Sequence, residues 1–389
     1  MAEFRCKKCG NIYIEGFPPE KCQYEWCRGT KEDYVKLIED PKQFIPEYFR
    51  PVLEEKIARI HQLQADAGRE SSSFGAITDI HWSQNSKHSA ALMEEILQRC
   101  AIPYYVNLGD VVTGYGLCDK ESLFEDLDYC KRAFKNIESK CLMVEGNHDV
   151  GYSTLGAPNY YAENLTDDEI YEHMFRFMEN YPNRNFGGPN YYYADDVAHK
   201  MRYVVLACHD VPSEEVKADG FPVYQKFRAS AIRQKQMEWF ANVALDVPDS
   251  DWTVTLFSHE ALIRGWEMRG SEIITGILNA FKNHTKFEGK TNIGEEGFEV
   301  EISVDYTGRG GNFTAWICGH FHDSCVEEHD GITCISVIND SRGKPSHQIY
   351  ERVLGEVSEQ AFDIFTIDKR KRKIFITRIG AGVDREIDY

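Results

Sequence analysis

No apolar run in this 389-residue chain approaches the ~20 residues that a membrane-spanning helix needs. Its first residues, MAEFRCKKCGN, are charged and lack the apolar core of a secretory signal, so a cytoplasmic protein without a membrane partner is expected. An excess of basic residues is also missing. Lys and Arg total 44 against 63 Asp and Glu, a net charge of −19. Such a surface repels phosphate backbones and argues against a protein that coats nucleic acid, although a locally positive site could still take an anion. Internal repeats and low-complexity tracts are absent too, which leaves a globular reading. The 42% apolar content suits one with a large core.

The twelve cysteines are unevenly placed. Cys6, Cys9, Cys22 and Cys27 cluster near the start, and the other eight are scattered through apolar or helical stretches. In a large cytoplasmic chain this pattern favours metal binding plus buried thiols over a disulfide framework. The cluster reads C-x2-C-G, then C-x4-C after 12 intervening residues, and is similar to zinc ribbons and rubredoxin-like knuckles. That resemblance implies one structural zinc on four thiolates. The second pair departs from the usual two-residue spacing.

Residues 1–36 carry seven Lys or Arg against six Asp or Glu, which leaves 37 against 57 in the remainder, so the acidity belongs to the body. We expect a four-cysteine module at 1–36, a helical linker at 37–73 and a catalytic domain at 74–389. Within the linker, Leu53, Ile57, Ile60 and Leu63 recur at helical spacing and Gly68 can end the helix. From Phe74 onward, strands at 74–78, 104–108 and 142–144 alternate with helices, the βαβ pattern of a parallel sheet. Further strands are expected at 203–207, 253–257, 314–318 and 332–337, with a closing hairpin of DIFTID and KIFITRI. Residues 151–193, rich in tyrosine, and 261–313 read as insertions that could wall a pocket.

Five polar motifs each follow an apolar strand: TDIHW (Asp79, His81), LGD (Asp110), GNHD (Asn147, His148, Asp149), FSHE (His259) and GHFH (His320, His322). Strand ends of a parallel sheet lie along one edge, where ligands bind. Carboxylate, amide and imidazole groups gathered there suit Zn, Mn or Fe.

The order D-x-H, GD, GNHD, H, GHxH resembles the calcineurin-like metallophosphoesterase superfamily. The resemblance implies an α/β fold, a four-layer α/β/β/α sandwich, acting as a hydrolase on a small phosphomonoester or phosphodiester. It implies two divalent ions, one on Asp79, His81 and His322, the other on Asn147, His259 and His320, with Asp110 bridging. A hydroxide bridging them would be the nucleophile, and the ions outweigh it and the two carboxylates by about one positive charge. His148 would be the general acid. Asp149 is a candidate to orient it, with a structural carboxylate as the alternative. GDVVTGYG departs from the GDxVDRG of the protein Ser/Thr phosphatases, and GNHD from their GNHE, which points away from that branch. A nuclease of the same superfamily and a non-catalytic phosphate-binding scaffold are the competing readings.

Overall fold

The computed structural model describes residues 2–6, 8, 12–15, 18–22, 27–37, 44–83, 85–113, 120–153, 162–212, 217–218, 222–291, 296–342 and 349–389. Near the start, β1 (Ala2–Cys6) pairs antiparallel with both β2 (Ile12–Glu15) and β3 (Tyr34–Leu37). Helix α1 (Arg50–Ala67) opens with proline in its first turn and ends at Gly68, whose φ of 58° suits glycine. Its Leu53, Ile57 and Ile60 are buried against the sheet that follows.

That sheet begins with β4 (Ser71–Ile77), α2 (Ser86–Arg99), β5 (Tyr104–Asn107), α3 (Lys120–Ala133) and β6 (Cys141–Met143), the three strands parallel as expected. A short helix α4 (Asn147–Val150), the hairpin of β7 (Gly151–Ser153) and β8 (Ala162–Asn164), and α5 (Asp167–Ile170) come next. Thr166 and Glu169 form a capping box at α5.

The second sheet follows as β9 (Arg184–Phe186), β10 (Tyr192–Asp196), β11 (Met201–Val205), α6 (Gln234–Trp239), β12 (Thr253–Phe257) and α7 (Ser271–Asn283). The small hairpin β13 (Lys286–Lys290) and β14 (Glu301–Asp305) precedes β15 (Asn312–Cys318), β16 (Val326–His329) and β17 (Ile332–Ser336). The chain then returns to the first sheet with β18 (Ala361–Asp368), β19 (Lys373–Gly380) and β20 (Arg385–Asp388). The orders are β20-β19-β18-β4-β5-β6 and β16-β17-β15-β12-β11-β10-β9.

Alternation along the strands creates the layers. Tyr203 and Val205 of β11 and Ala315 and Ile317 of β15 join one core with Phe74 and Phe365 of the first sheet. Their neighbours Val204, Trp316 and Cys318 face the other way and pack with α6 and α7 residues such as Met237 and Ile277. Phe74 stitches the sheets, stacked on Phe365 at 4.9 Å and edge-on to Tyr203 and Phe257 at 5.4 Å each. The outcome is the four-layer α/β/β/α sandwich.

One boundary differs from expectation. The serines of 71–73 fall in the expected linker, yet they belong to β4 and pair with β18. The buried hydroxyls of Ser72 and Ser73 are tolerated there because both find a partner: Ser72 Oγ lies 3.0 Å from the Tyr203 hydroxyl and Ser73 Oγ 3.2 Å from that of Thr366. Among the described residues, no helix is long and apolar enough to cross a membrane.

Candidate metal centre

The carboxyl ends of β4, β5, β12 and β15, with the turn after β6, bring all five motifs together. Two loops approach backbone to backbone: a Cβ on Gly146 would lie 2.2 Å from both the nitrogen and Oδ1 of Asp110, and one on Gly109 would lie 2.5 Å from the nitrogen of Gly146. Glycine in GD and GNHD is therefore a packing requirement. Asp79 N–H donates to Gly109 O at 2.9 Å and His81 N–H to Asp110 O at 3.0 Å, tying the β4 end to the same loop.

Main-chain conformation is unusual where the side chains matter. Asp79, His81, Asp110, His320 and His322 all have positive φ, between 42° and 65°. Each costs about 1–3 kcal/mol outside glycine and persists only where the surroundings enforce it, as at ligand-holding sites.

Hydrogen bonds outside the cluster then aim its atoms inward. His81 and His259 donate Nδ1–H to the carbonyls of Val112 (3.1 Å) and Leu108 (2.7 Å), and His148 donates to that of Thr113. A carbonyl can only accept, so each Nδ1 carries a proton and Nε2 is the ring nitrogen turned toward the cluster. Asp79 Oδ2 accepts from the Thr78 hydroxyl (2.7 Å) and the His320 main-chain N–H (2.9 Å), leaving Oδ1 3.0 Å from His322 Nε2. Asn147 Oδ1 lies 3.2 Å from His259 Nε2 and 3.1 Å from His320 Nδ1. Three groups could each hold an ion: Asp79, His81 and His322; His81, Asp110 and His148; and Asp110, His259 and His320.

The donor set fits divalent metal. Asp79 and Asp110 are essentially fully buried, and among the described residues their ion-pair partners are imidazoles, not Lys or Arg. Buried carboxylates without a fixed cation call for a mobile one. The pull of these carboxylates on positive charge is visible in their neighbours. Burial opposes a charge on His259, yet Asp110 beside it holds the imidazole up to about 10. Burial and the nearby His148 instead push His81 down to about 4, leaving it a neutral donor. Burial disfavours the Asp79 carboxylate, but His322 keeps it down at about 2.

Asp149 faces elsewhere. Its Oδ1 accepts from the N–H groups of Val111 (2.9 Å) and Val112 (3.2 Å), and its Oδ2 from Gly146 (3.0 Å). It ties the GNHD turn to the loop after β5, and Thr113, not Asp149, meets Nδ1 of His148. The tyrosines expected to cover a substrate also differ. Tyr192 is buried against Phe175 and Phe186, and Tyr191 and Tyr193 lie on Trp239, so these three serve packing. The side chains of Tyr152, Tyr160 and Tyr161 lie outside the described residues.

Three neighbours of the centre escaped the sequence reading. Glu260, buried beside His259, has Oε1 3.9 Å from His320 Nδ1. His209 sits 6.2 Å from the His259 ring, after the apolar run YVVLAC, the same strand-end signal as the other motifs. Trp266 packs on His320 at 5.2 Å, and no motif marks it.

At the head, Cys6, Cys22 and Cys27 converge, with Cys6 Sγ 3.6 Å from Cys27 Sγ. Gly29 leaves room over them, since a Cβ there would lie 2.9 Å from Cys6 Sγ. Cys9 lies outside the described residues.

Residues 72–324 match the calcineurin-like phosphoesterase family. The chain belongs to that family, a class of metal-dependent phosphoesterases. Similar solved structures include Vacuolar Protein Sorting 29 from Cryptosporidium parvum, at 10% identity and TM-score 0.31, covering 82% of this chain and 99% of that one. GAP50, the anchor in the inner membrane complex of Plasmodium, gives 11% and 0.42 over 82% and 89%. The phosphopantetheinyl hydrolase of Mycobacterium tuberculosis gives 14% and 0.29 over 72% and 95%. At such identities and scores these likenesses carry none of the argument below. No curated protein matches the chain.

Proposed function

We propose that this protein hydrolyses a small phosphoester at a centre of two divalent ions. Asp79, His81 and His322 hold one, Asn147, His259 and His320 the other, and Asp110 is shared. The observation that supports this most is the position of Asp110 Oδ2, 3.8 Å from His81 Nε2 and 3.3 Å from His259 Nε2. One carboxylate thereby serves both groups. Mn, Fe or Zn suits these ligands, and such a pair supplies Lewis-acid polarisation and a nucleophile at neutral pH.

The chain's own groups supply the rest. His148, its Nδ1 fixed on Thr113, turns Nε2 to within 3.8 Å of Asp110 Oδ2 and delivers a proton from there to the departing oxygen. Asp149 is a positioning residue for the loops beneath. At the head, Cys6, Cys9, Cys22 and Cys27 take one structural zinc. The 3.6 Å sulfur separation is close to the ~3.8 Å edge of a tetrahedral site with ~2.3 Å bonds. Residues 1–36 then form a separate module ahead of a helical linker, and the catalytic domain opens with β4 at Ser71.

Metal analysis of the intact chain, alongside turnover of a panel of monoesters and diesters, tests both sites. Asp110→Asn should lower ion content and slow every substrate at least about tenfold. Cys22→Ser should lose one zinc and keep the other two ions. Full ion content with an unchanged rate in Asp110→Asn would overturn the shared-carboxylate assignment.

A further inference from the structure

One large aromatic side chain at the rim of the centre is firmly held yet left open. Trp266 keeps 38% of its surface exposed while its indole lies against His320 and 6.3 Å from Phe321. Its Nε1–H donates to Oε2 of the buried Glu260 at 2.8 Å, which fixes the ring's orientation from below. The turn presenting it is anchored as well. Arg264 and Gly265 have φ of 55° and 71°. The Arg264 main-chain N–H bonds the Glu327 carboxylate, and its guanidinium pairs with Asp323, next after His322. An indole pinned at its polar end and open on its apolar body is built for contact. Exposing it forgoes the stabilisation that burial would bring.

We propose that Trp266 is the stacking platform for a planar ring in the substrate, so that the favoured substrate is a phosphoester of nucleotide type. The inference rests on the phosphoesterase reading above. With the phosphoryl group at the proposed two-ion centre, the base of a nucleotide would reach outward to the rim and meet the indole. The net charge of −19 works against a polymer and leaves a single nucleotide as the occupant. Stacking of a base on an aromatic side chain changes affinity about 5- to 150-fold and tolerates any base.

Adenosine 5′-phosphate and ribose 5-phosphate share one leaving alcohol and differ only in the base, so comparing them isolates the ring. In the metal-loaded full chain, Trp266→Ala should cost at least about fivefold more in kcat/KM on the first than on the second, mainly through KM. Trp266→Phe loses the bond to Glu260 but keeps a ring, and should recover most of that difference. Equal losses on both esters, or no recovery in Trp266→Phe, would overturn the platform. Wild-type enzyme that hydrolyses neither ester nor any of a wider panel would instead refute the phosphoesterase reading. Fluorescence titration with adenosine 5′-phosphate then still decides on the platform: quenching present in wild type and lost in Trp266→Phe supports it, and equal quenching in both overturns it.

Discussion

His81, His148 and His259 each give Nδ1–H to a main-chain carbonyl and so present Nε2 to a buried pair of carboxylates. In our proposal two of these imidazoles bind metal and His148 acts as the acid. Its contribution then depends on how badly the departing oxygen needs a proton. His148→Ala should slow esters of simple alcohols about 10²–10⁴-fold and nitrophenyl esters far less, with ion content nearly unchanged. Rates across a series of leaving-group pKa values, with metal analysis of the same samples, check this. A uniform loss with both ions retained would move His148 out of the acid role. This set of residues was legible in the sequence because each polar group directly follows an apolar run. The orientation of Asp149 was not, since neighbours along the chain need not face one another.

At the scale of elements, the returning strands β18 and β19 bear directly on the site. Asp363 and Arg378 stand opposite each other in that pair, and both are fully buried. The guanidinium grips the carboxylate in a fork, 2.7 Å from Nε to Oδ1 and 3.0 Å from Nη2 to Oδ2. Nη2 also donates to Ser324 Oγ at 3.0 Å, just beyond the GHFH motif. Arg385 shares the same carboxylate at 3.0 Å. Removing it strands two guanidinium groups, so Asp363→Ala should destabilise the protein by about 3–5 kcal/mol, read by urea denaturation. A change under about 1 kcal/mol would show that water or rearrangement satisfies both arginines. The hairpin itself could be read from DIFTID and KIFITRI, two apolar segments flanking the basic stretch at 369–373. Its place beside the serine run of β4 could not, because those serines look like loop until their buried partners are known.

Over the whole molecule, acidity is balanced locally by pairs such as His199 and Asp196, 2.7 Å apart. The bond to Asp196, opposed by partial burial, raises the His199 imidazole above its usual value. A raised folded value means that the pair's contribution is full below the unfolded value of about 6.5. It fades as pH rises through the folded value. The difference in Tm between wild type and His199→Gln should therefore be largest near pH ~5.5 and shrink toward pH ~8.5. The ring is partly exposed, so salt should reduce it. A difference independent of pH would assign the pair a purely packing role.

By itself the sequence determined the chemistry: which carboxylates, imidazoles and thiols are present, and that each follows a strand or sits in a paired cysteine spacing. It also determined the two sheets' faces, because inward and outward residues alternate within a few positions, as in β11 and β15. The tertiary structure alone decided which strands are neighbours, that Asp110 lies between His81 and His259, and that Glu260 reaches His320 and holds Trp266 at the rim. Local periodicity is set by contacts between near neighbours in the chain. Convergence of Asp79 with His322 is set by burial of the Phe74, Tyr203, Phe257 and Phe365 faces between sheets, a long-range effect that no short stretch records.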